Sequence, residues 1–250
     1  MIHFVGAGPG AADLITLRGA ELLKTADAVV YTGSLINTEL LDLTRTGCEL
    51  HNSAAMTLDE VIAVLLRVNS SGGAAVRLHT GDPSIYGAIR EQMDALNANG
   101  AEYAVCPGVS SFCGAAAALK AEYTLPGVSQ SVIITRMAGR TPVPKRESIS
   151  ALAAHAATMV IFLSAGMAAA LQSELLEGFA PDTPAAIVYK ATWADERVLR
   201  CTVGTLAECS AESGISNHAL IVVGKVLGGD YELSKLYDPA FSTAFREASR

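Results

Sequence analysis

The sequence predicts an α/β protein of two domains, an N-terminal parallel five-stranded sheet and a C-terminal mixed sheet with a cleft between them. Three observations predict it. Five short apolar runs alternate with helix-period segments over residues 1–120, the pattern of a wrapped parallel sheet. Residues 121–130, with Pro126-Gly127, show no periodicity and read as a linker. Beyond it, in residues 131–250, the runs at 185–189 and 197–203 follow one another with no helix between, which implies antiparallel neighbours.

The elements follow in order. Ile2-His3-Phe4-Val5 is a strand that ends in Gly6-Ala7-Gly8-Pro9-Gly10, and a helix with Thr16 or Asp13 as cap carries Leu14, Leu17, Leu22 and Leu23. Residues 27–31 make a second strand, cut by Thr32-Gly33-Ser34; a helix over 39–43 and a strand over 48–51 come next. Thr57-Leu58-Asp59-Glu60 is a capping box opening a helix through Leu65 and Leu66. The fourth strand, residues 74–78, runs into Arg77-Leu78-His79-Thr80-Gly81-Asp82-Pro83, where glycine and proline stop it. A helix is expected at once, since Ile85, Ala88, Ile89, Met93 and Leu96 repeat at helical spacing. A fifth strand, 102–106, breaks at Pro107-Gly108, and a small-residue helix follows over 110–119.

In the second half, strands are expected at 131–135 and 158–163 around a basic, proline-rich loop, residues 136–146. A helix over 166–177, the strand pair already noted, a second capping box at Thr205-Leu206-Ala207-Glu208 and a last strand over 219–226 complete the order. The polar tail after Gly228 is expected to be loosely held.

Composition excludes several classes. Half of the 250 residues are hydrophobic and 17% are charged, as in a globular chain. No apolar run approaches the ~20 residues of a membrane span, and no basic-then-apolar leader opens the sequence, so the cytoplasm is the expected compartment. A net charge of −7 argues against nucleic acid as partner, although a local arginine cluster can still bind an acidic small molecule. The five cysteines form no CxxC pair and have no histidine at zinc spacing, so no metal site is expected.

Three strands thus end in glycine-containing breaks, the first, fourth and fifth, and would open on one rim. Gly6-Ala7-Gly8-Pro9-Gly10-Ala11 fits G-x-G-x-x-G/A, the dinucleotide fingerprint. Its companion acid is missing, because the second strand ends in Tyr31-Thr32-Gly33-Ser34, and Pro9 removes a backbone donor that a pyrophosphate would use. A nicotinamide oxidoreductase is therefore the weaker reading, and a nucleotide-sensing module without catalysis is a third.

These residues carry a family resemblance. Val5 to Gly10 with Leu14-Ile15-Thr16-Leu17-Arg18-Gly19-Ala20, then Gly81-Asp82-Pro83 to Gly87, then Pro107-Gly108-Val109-Ser110-Ser111 resemble, in order, motifs of the tetrapyrrole methylases. Val160 to Ser164, Ala186 to Thr192 and Ala219 to Gly224 continue the likeness over nearly the whole chain. One departure is Ala11-Ala12, where relatives often carry Asp-Pro. Members methylate uroporphyrinogen or corrin precursors using S-adenosylmethionine. Val30 to Leu35 and His51 to Ala54 are most similar to members acting at C11 of precorrin-4 or cobalt-precorrin-4.

The resemblance implies the tetrapyrrole methylase fold, S-adenosylmethionine as methyl donor, S-adenosylhomocysteine as product and a homodimer. It places Pro9, Thr80, Gly81, Asp82, Ile85, Tyr86, Ser110, Ser111, Leu163, Ala191, Ala219 and Leu220 around the cofactor. Such a substrate bears many carboxylates, so Arg77, Arg136, Arg140 and His51 are the candidates to hold it. Tyr31, Ser34, His79 and Arg90 are the candidates for proton handling or contact with the ring.

Overall fold

A strand that is apolar on both faces belongs in a sheet covered on both sides, and the central strands of the first sheet are of that kind. The computed structural model describes residues 1–249, with the side chain of Ser34 outside the described set. They form two compact units. One is Met1–Ala118 with Lys190–Arg197, and the other is Leu119–Tyr189 with the described residues from Val198.

The first unit holds β1 (Ile2–Gly6), α1 (Leu17–Lys24), β2 (Ala28–Tyr31), β3 (Glu49–Asn52), α2 (Leu58–Ser70), β4 (Ala75–His79), α3 (Ile89–Ala98), β5 (Tyr103–Cys106) and α4 (Ser111–Leu119). Its sheet has the order β3-β2-β4-β1-β5 and is parallel at every pairing. On one face Ile2, Phe4, Val30 and Ala75 pack on Val61, Leu65 and Val68 of α2 and Leu96 of α3. On the other, Val5, Val29, Val76 and Leu78 pack on Leu23 of α1 and on Ile36 and Leu40. The strands β4, β1 and β5 are adjacent, so the three glycine-containing loops that leave their carboxyl ends lie side by side.

The caps are largely those expected. Thr16 Oγ1 accepts from Gly19 N, and Thr57 and Glu60 close their capping box. The box expected at Thr205 is different: the Thr205 hydroxyl pairs with Thr202, one turn earlier, so it caps a short 3₁₀ turn. The helix expected over 39–43 is likewise 3₁₀, Thr38–Leu43.

The helix after the fourth strand does not begin at once. Residues 83–86 form a turn and α3 opens only at Ile89, because Tyr86 and Ala88 adopt left-handed backbone, with φ of 56° and 49°. Such residues interrupt a right-handed helix. Periodicity alone did not show them.

The second unit contains β6 (Val132–Arg136), α5 (Ile149–Ala153), β7 (Thr158–Phe162), α6 (Ala168–Leu175), β8 (Pro184–Tyr189), β9 (Arg197–Thr202), α7 (Leu206–Ser213) and β10 (Ala219–Val223). The sheet order is β6-β7-β10-β8-β9, with β6 parallel to β7 and β10 antiparallel to both β7 and β8. The sheet is mixed, as expected. Met159, Ile161, Ile187 and Ile221 meet Ile149 of α5, Leu171 and Leu175 of α6 and Leu206 of α7 in one core. The short helix α5 was not anticipated. Residues 121–130 are not a free linker: Tyr123 is buried, its carbonyl accepts from Thr158 Oγ1 at 2.8 Å, and Ser129 Oγ accepts from Thr158 N.

Candidate functional site

The three loops of the first unit meet backbone to backbone. Gly81 N donates to Gly8 O at 2.8 Å, Gly8 N to Gly81 O at 3.3 Å, and Ala7 N to His79 O at 2.7 Å. A Cβ on Gly6 would lie 2.6 Å from both Gly108 Cα and Gly81 O, and one on Gly108 would lie 2.2 Å from Gly81 O. Only glycine fits at either position, because the obstructing atoms are themselves backbone. Asp82 continues this junction. Its Oδ1 accepts from Ser84 N at 2.8 Å and from the Ser84 hydroxyl, and its Oδ2 accepts from Gly108 N at 2.8 Å. Burial pushes this carboxyl up, the Ser84 hydroxyl and the Gly108 and Ser84 amides pull it down, and the balance lies below the usual carboxylate value.

The segment Lys190–Arg197 lies across the first loop in the same unit. Thr192 Oγ1 accepts from Ala11 N at 3.0 Å. The Trp193 indole fills the space over Gly10, where a Cβ would come within 2.1 Å of Cδ1. The segment is braced internally: Thr192 N donates to Glu196 Oε2 at 2.6 Å, and Lys190 Nζ meets Asp195 Oδ2 at 2.6 Å and stands 5.4 Å from the Trp193 ring centre.

The loops 6–11, 79–87 and 106–111 contain no lysine or arginine. They present backbone groups and hydroxyls, with Asp82 as the one carboxylate. Since Pro9 also has no amide to give a pyrophosphate, the set suits a ligand without phosphate, such as an adenosine carrying an amino-acid arm, better than a dinucleotide.

Comparison with known proteins gives the family. The family model of the Tetrapyrrole (Corrin/Porphyrin) Methylases matches residues 1–207. The chain belongs to the tetrapyrrole methylases. It is 48% identical over 251 residues to a cobalt-precorrin-4 C(11)-methyltransferase of Methanocaldococcus jannaschii, covering 100% of this chain and 97% of that one. Among solved structures it is similar to a cobalamin biosynthetic enzyme, cobalt precorrin-4 methyltransferase, with a TM-score of 0.89 at 42% identity, covering 91% and 96% of the two chains. A uroporphyrin-III C-methyl transferase of Thermus thermophilus in complex with S-adenosyl homocysteine gives 0.75 at 27% identity, covering 91% and 93%.

The methylase places its anticipated site residues in different settings. Pro9, Thr80, Gly81, Asp82, Ile85, Tyr86, Ser110, Ser111 and Ala191 all lie in the first unit, on or beside the three loops and the segment across them. Thr80 Oγ1 donates to Leu35 O at 3.0 Å and lies 3.3 Å from Thr32 Oγ1. Leu163, at φ 54° and 67% exposed, follows β7, and Ala219 and Leu220 open β10; these three belong to the second unit. Tyr31 ends β2, where its carbonyl accepts from Ser53 Oγ, and the Ser34 side chain lies outside the described residues.

Three arginines expected at the substrate or the ring, Arg77, Arg90 and Arg136, have partners within this methylase. Arg77 is buried, donating Nε to Gln92 Oε1 at 3.0 Å and Nη1 to Val30 O at 3.1 Å. Burial lowers its pKa to about 10. Its place midway along an apolar central strand was the available sign that it is a core group. His79, 2% exposed, stacks on Phe4. Burial, and then the charge of Arg77, push it down to about 3, so it is neutral at ordinary pH. Arg90 is exposed and paired with Asp94 one helical turn along. Arg136 donates to the carbonyls of Met137, Thr141 and Pro142, folding its own loop. His51 is 3.0 Å from Glu49, while Arg140 is exposed in the basic loop. Trp193 over Gly10 has one sign in the sequence, a single tryptophan following the Tyr189-Lys190-Ala191-Thr192 motif.

Proposed function

We propose that this methylase transfers a methyl group from S-adenosylmethionine to C11 of precorrin-4 or cobalt-precorrin-4, a step of cobalamin biosynthesis. The end-to-end likeness to a cobalt-precorrin-4 C(11)-methyltransferase carries the reading. The glycine rim, in which Pro9 has no amide to offer a pyrophosphate, supports the donor assignment, as does a solved relative holding S-adenosyl homocysteine.

When bound, the donor supplies a methyl on a positively charged sulfur, which leaves as a neutral thioether. The chain's part is to bind and orient. Thr80, Gly81, Ser110 and Ser111 would offer backbone and hydroxyl groups to the donor, with Pro9 and Ile85 as apolar contacts. Alignment of this kind is worth ~7–11 kcal/mol when two reactants are held in line. Of the four candidate arginines, Arg140 is the one left to meet a substrate carboxylate, since Arg77, Arg90 and Arg136 have partners of their own among the described residues. Tyr31 and Ser34 stay candidates for contact with the ring. A homodimer, which the family resemblance implies, and a cytoplasmic location belong to this reading.

The test is incubation of the purified protein with S-adenosylmethionine and enzymatically prepared precorrin-4, metal-free and cobalt-loaded in parallel. Mass spectrometry should show one added methyl, and carbon NMR should place it at C11. Methylation at another ring carbon would reassign the substrate position, and absence of S-adenosylhomocysteine binding in calorimetry would remove the function.

A further inference from the structure

We infer that the Asp82 carboxylate is a positioning group that fastens the second loop of the rim to the third, and is not itself a ligand of the methyl donor. This rests on the reading of the rim as the donor site.

Both oxygens are committed inside the protein. Oδ1 takes the amide and hydroxyl of Ser84, fixing the turn that follows the strand, and Oδ2 takes Gly108 N at 2.8 Å. The second bond joins β4's loop to β5's, although β1 lies between those strands in the sheet. The ladder hydrogen bonds of a sheet do not reach across an intervening strand. The contact is possible because the backbones converge over β1: Gly6, Gly81 and Gly108 approach so closely that a Cβ on Gly6 or Gly108 would fall within 2.6 Å of Gly81 O. Glycine permits this convergence, and a side chain that bridges over it has to fix it.

The bond also has the right polarity. Gly108 precedes α4 by three residues, so its amide has no partner in that helix. A carboxylate is the strongest uncharged-donor acceptor available to it, since bonds to an ionised acceptor are roughly twice as strong as neutral ones. Ser110 and Ser111 follow at once. Holding Gly108 therefore holds the two hydroxyls that the proposed function assigns to the donor.

Asp82→Asn separates the alternatives. An amide can keep its oxygen on the Ser84 turn, but then turns an NH₂ donor toward the Gly108 N–H. The turn survives and the bridge is lost. In Asp82→Asn, hydrogen exchange of the Gly108 amide, read by NMR without ligand, should quicken at least tenfold while the melting temperature stays close to wild type. S-adenosylhomocysteine and 5′-methylthioadenosine, which lacks the amino-acid arm, should both weaken by the same factor, about tenfold. The KM for S-adenosylmethionine should rise with the KM for the tetrapyrrole unchanged. Ser84→Ala, which leaves the Gly108 bond in place, should change these affinities less than threefold. Unchanged Gly108 exchange, or a loss confined to S-adenosylhomocysteine, overturns the proposal; the latter would mark direct contact with the amino-acid arm. If wild type binds neither compound the proposed function fails, while the exchange measurement still decides whether Asp82 holds Gly108.

Discussion

Arg77 and His79 show how a strand's alternation can carry a candidate substrate cation and a candidate proton carrier into the core. They stand two residues apart on β4, hence on one face, and both are buried. Arg77 remains cationic at neutral pH and is held by Gln92, whose Nε2 donates in turn to Ala88 O at 3.1 Å. That chain of bonds ties the strand to the residue just before α3. His79 lies beside this charge and is kept neutral by burial and by Arg77. Its depressed pKa has a consequence for stability. Between about 3 and 6.5 the unfolded chain binds a proton at this histidine that the folded chain does not. The contribution is therefore complete above pH 6.5 and is lost as pH falls below it, by roughly 1.4 kcal/mol per pH unit for one proton. In urea denaturation between pH 6.2 and 5.0, buffer values chosen roughly to bracket one pH unit in this window, His79→Gln should show a shallower fall in stability than wild type by about that amount. Parallel slopes would mean that His79 titrates normally in the fold. His3, also lowered by burial, is present in both proteins and cancels.

At the scale of elements, the order of strands and helices was legible because it is written in local periodicity, and most strand bounds fall within one or two residues of expectation. What was not legible depends on partners distant in sequence. The start of α3 is displaced by left-handed Tyr86 and Ala88, and Arg136 looked available until its loop folded back on it. For the candidate site, glycine and proline punctuation marked the three loops, but nothing local marked which glycines are forced by contact. Gly108 is, since its Cβ would meet the carbonyl oxygen of Gly81 at 2.2 Å. Gly229 is not: nothing lies within 4 Å of a Cβ there. Gly108→Ala should cost about 1–3 kcal/mol as the overpacked loops part, and should weaken S-adenosylhomocysteine, whereas Gly229→Ala should stay within about 0.5 kcal/mol. Chemical denaturation and calorimetry on the two variants measure both effects, and equal stabilities would mean that the loops yield without strain.

At the scale of the whole molecule, each unit has its own core, and the chain's single tryptophan reports on one of them. Trp193 sits in Lys190–Arg197, between β8 and β9, yet this segment clusters with the first unit and its indole covers Gly10. Emission from Trp193 is thus a reporter for the glycine rim. A ligand that binds only the folded state stabilises it by RT ln(1 + [L]/Kd), about 2.7 kcal/mol at a hundredfold excess over Kd. S-adenosylhomocysteine at that excess should therefore change Trp193 emission in the native protein. It should also move the urea transition followed at Trp193 by the same amount. Circular dichroism, which samples both sheets, provides the control. If calorimetry shows the compound bound but only the dichroism transition moves, the donor is held by the second unit and the rim around Gly81 has another use. A shift seen at Trp193 ties the ligand to the loops that Gly6, Gly81 and Gly108 bring together.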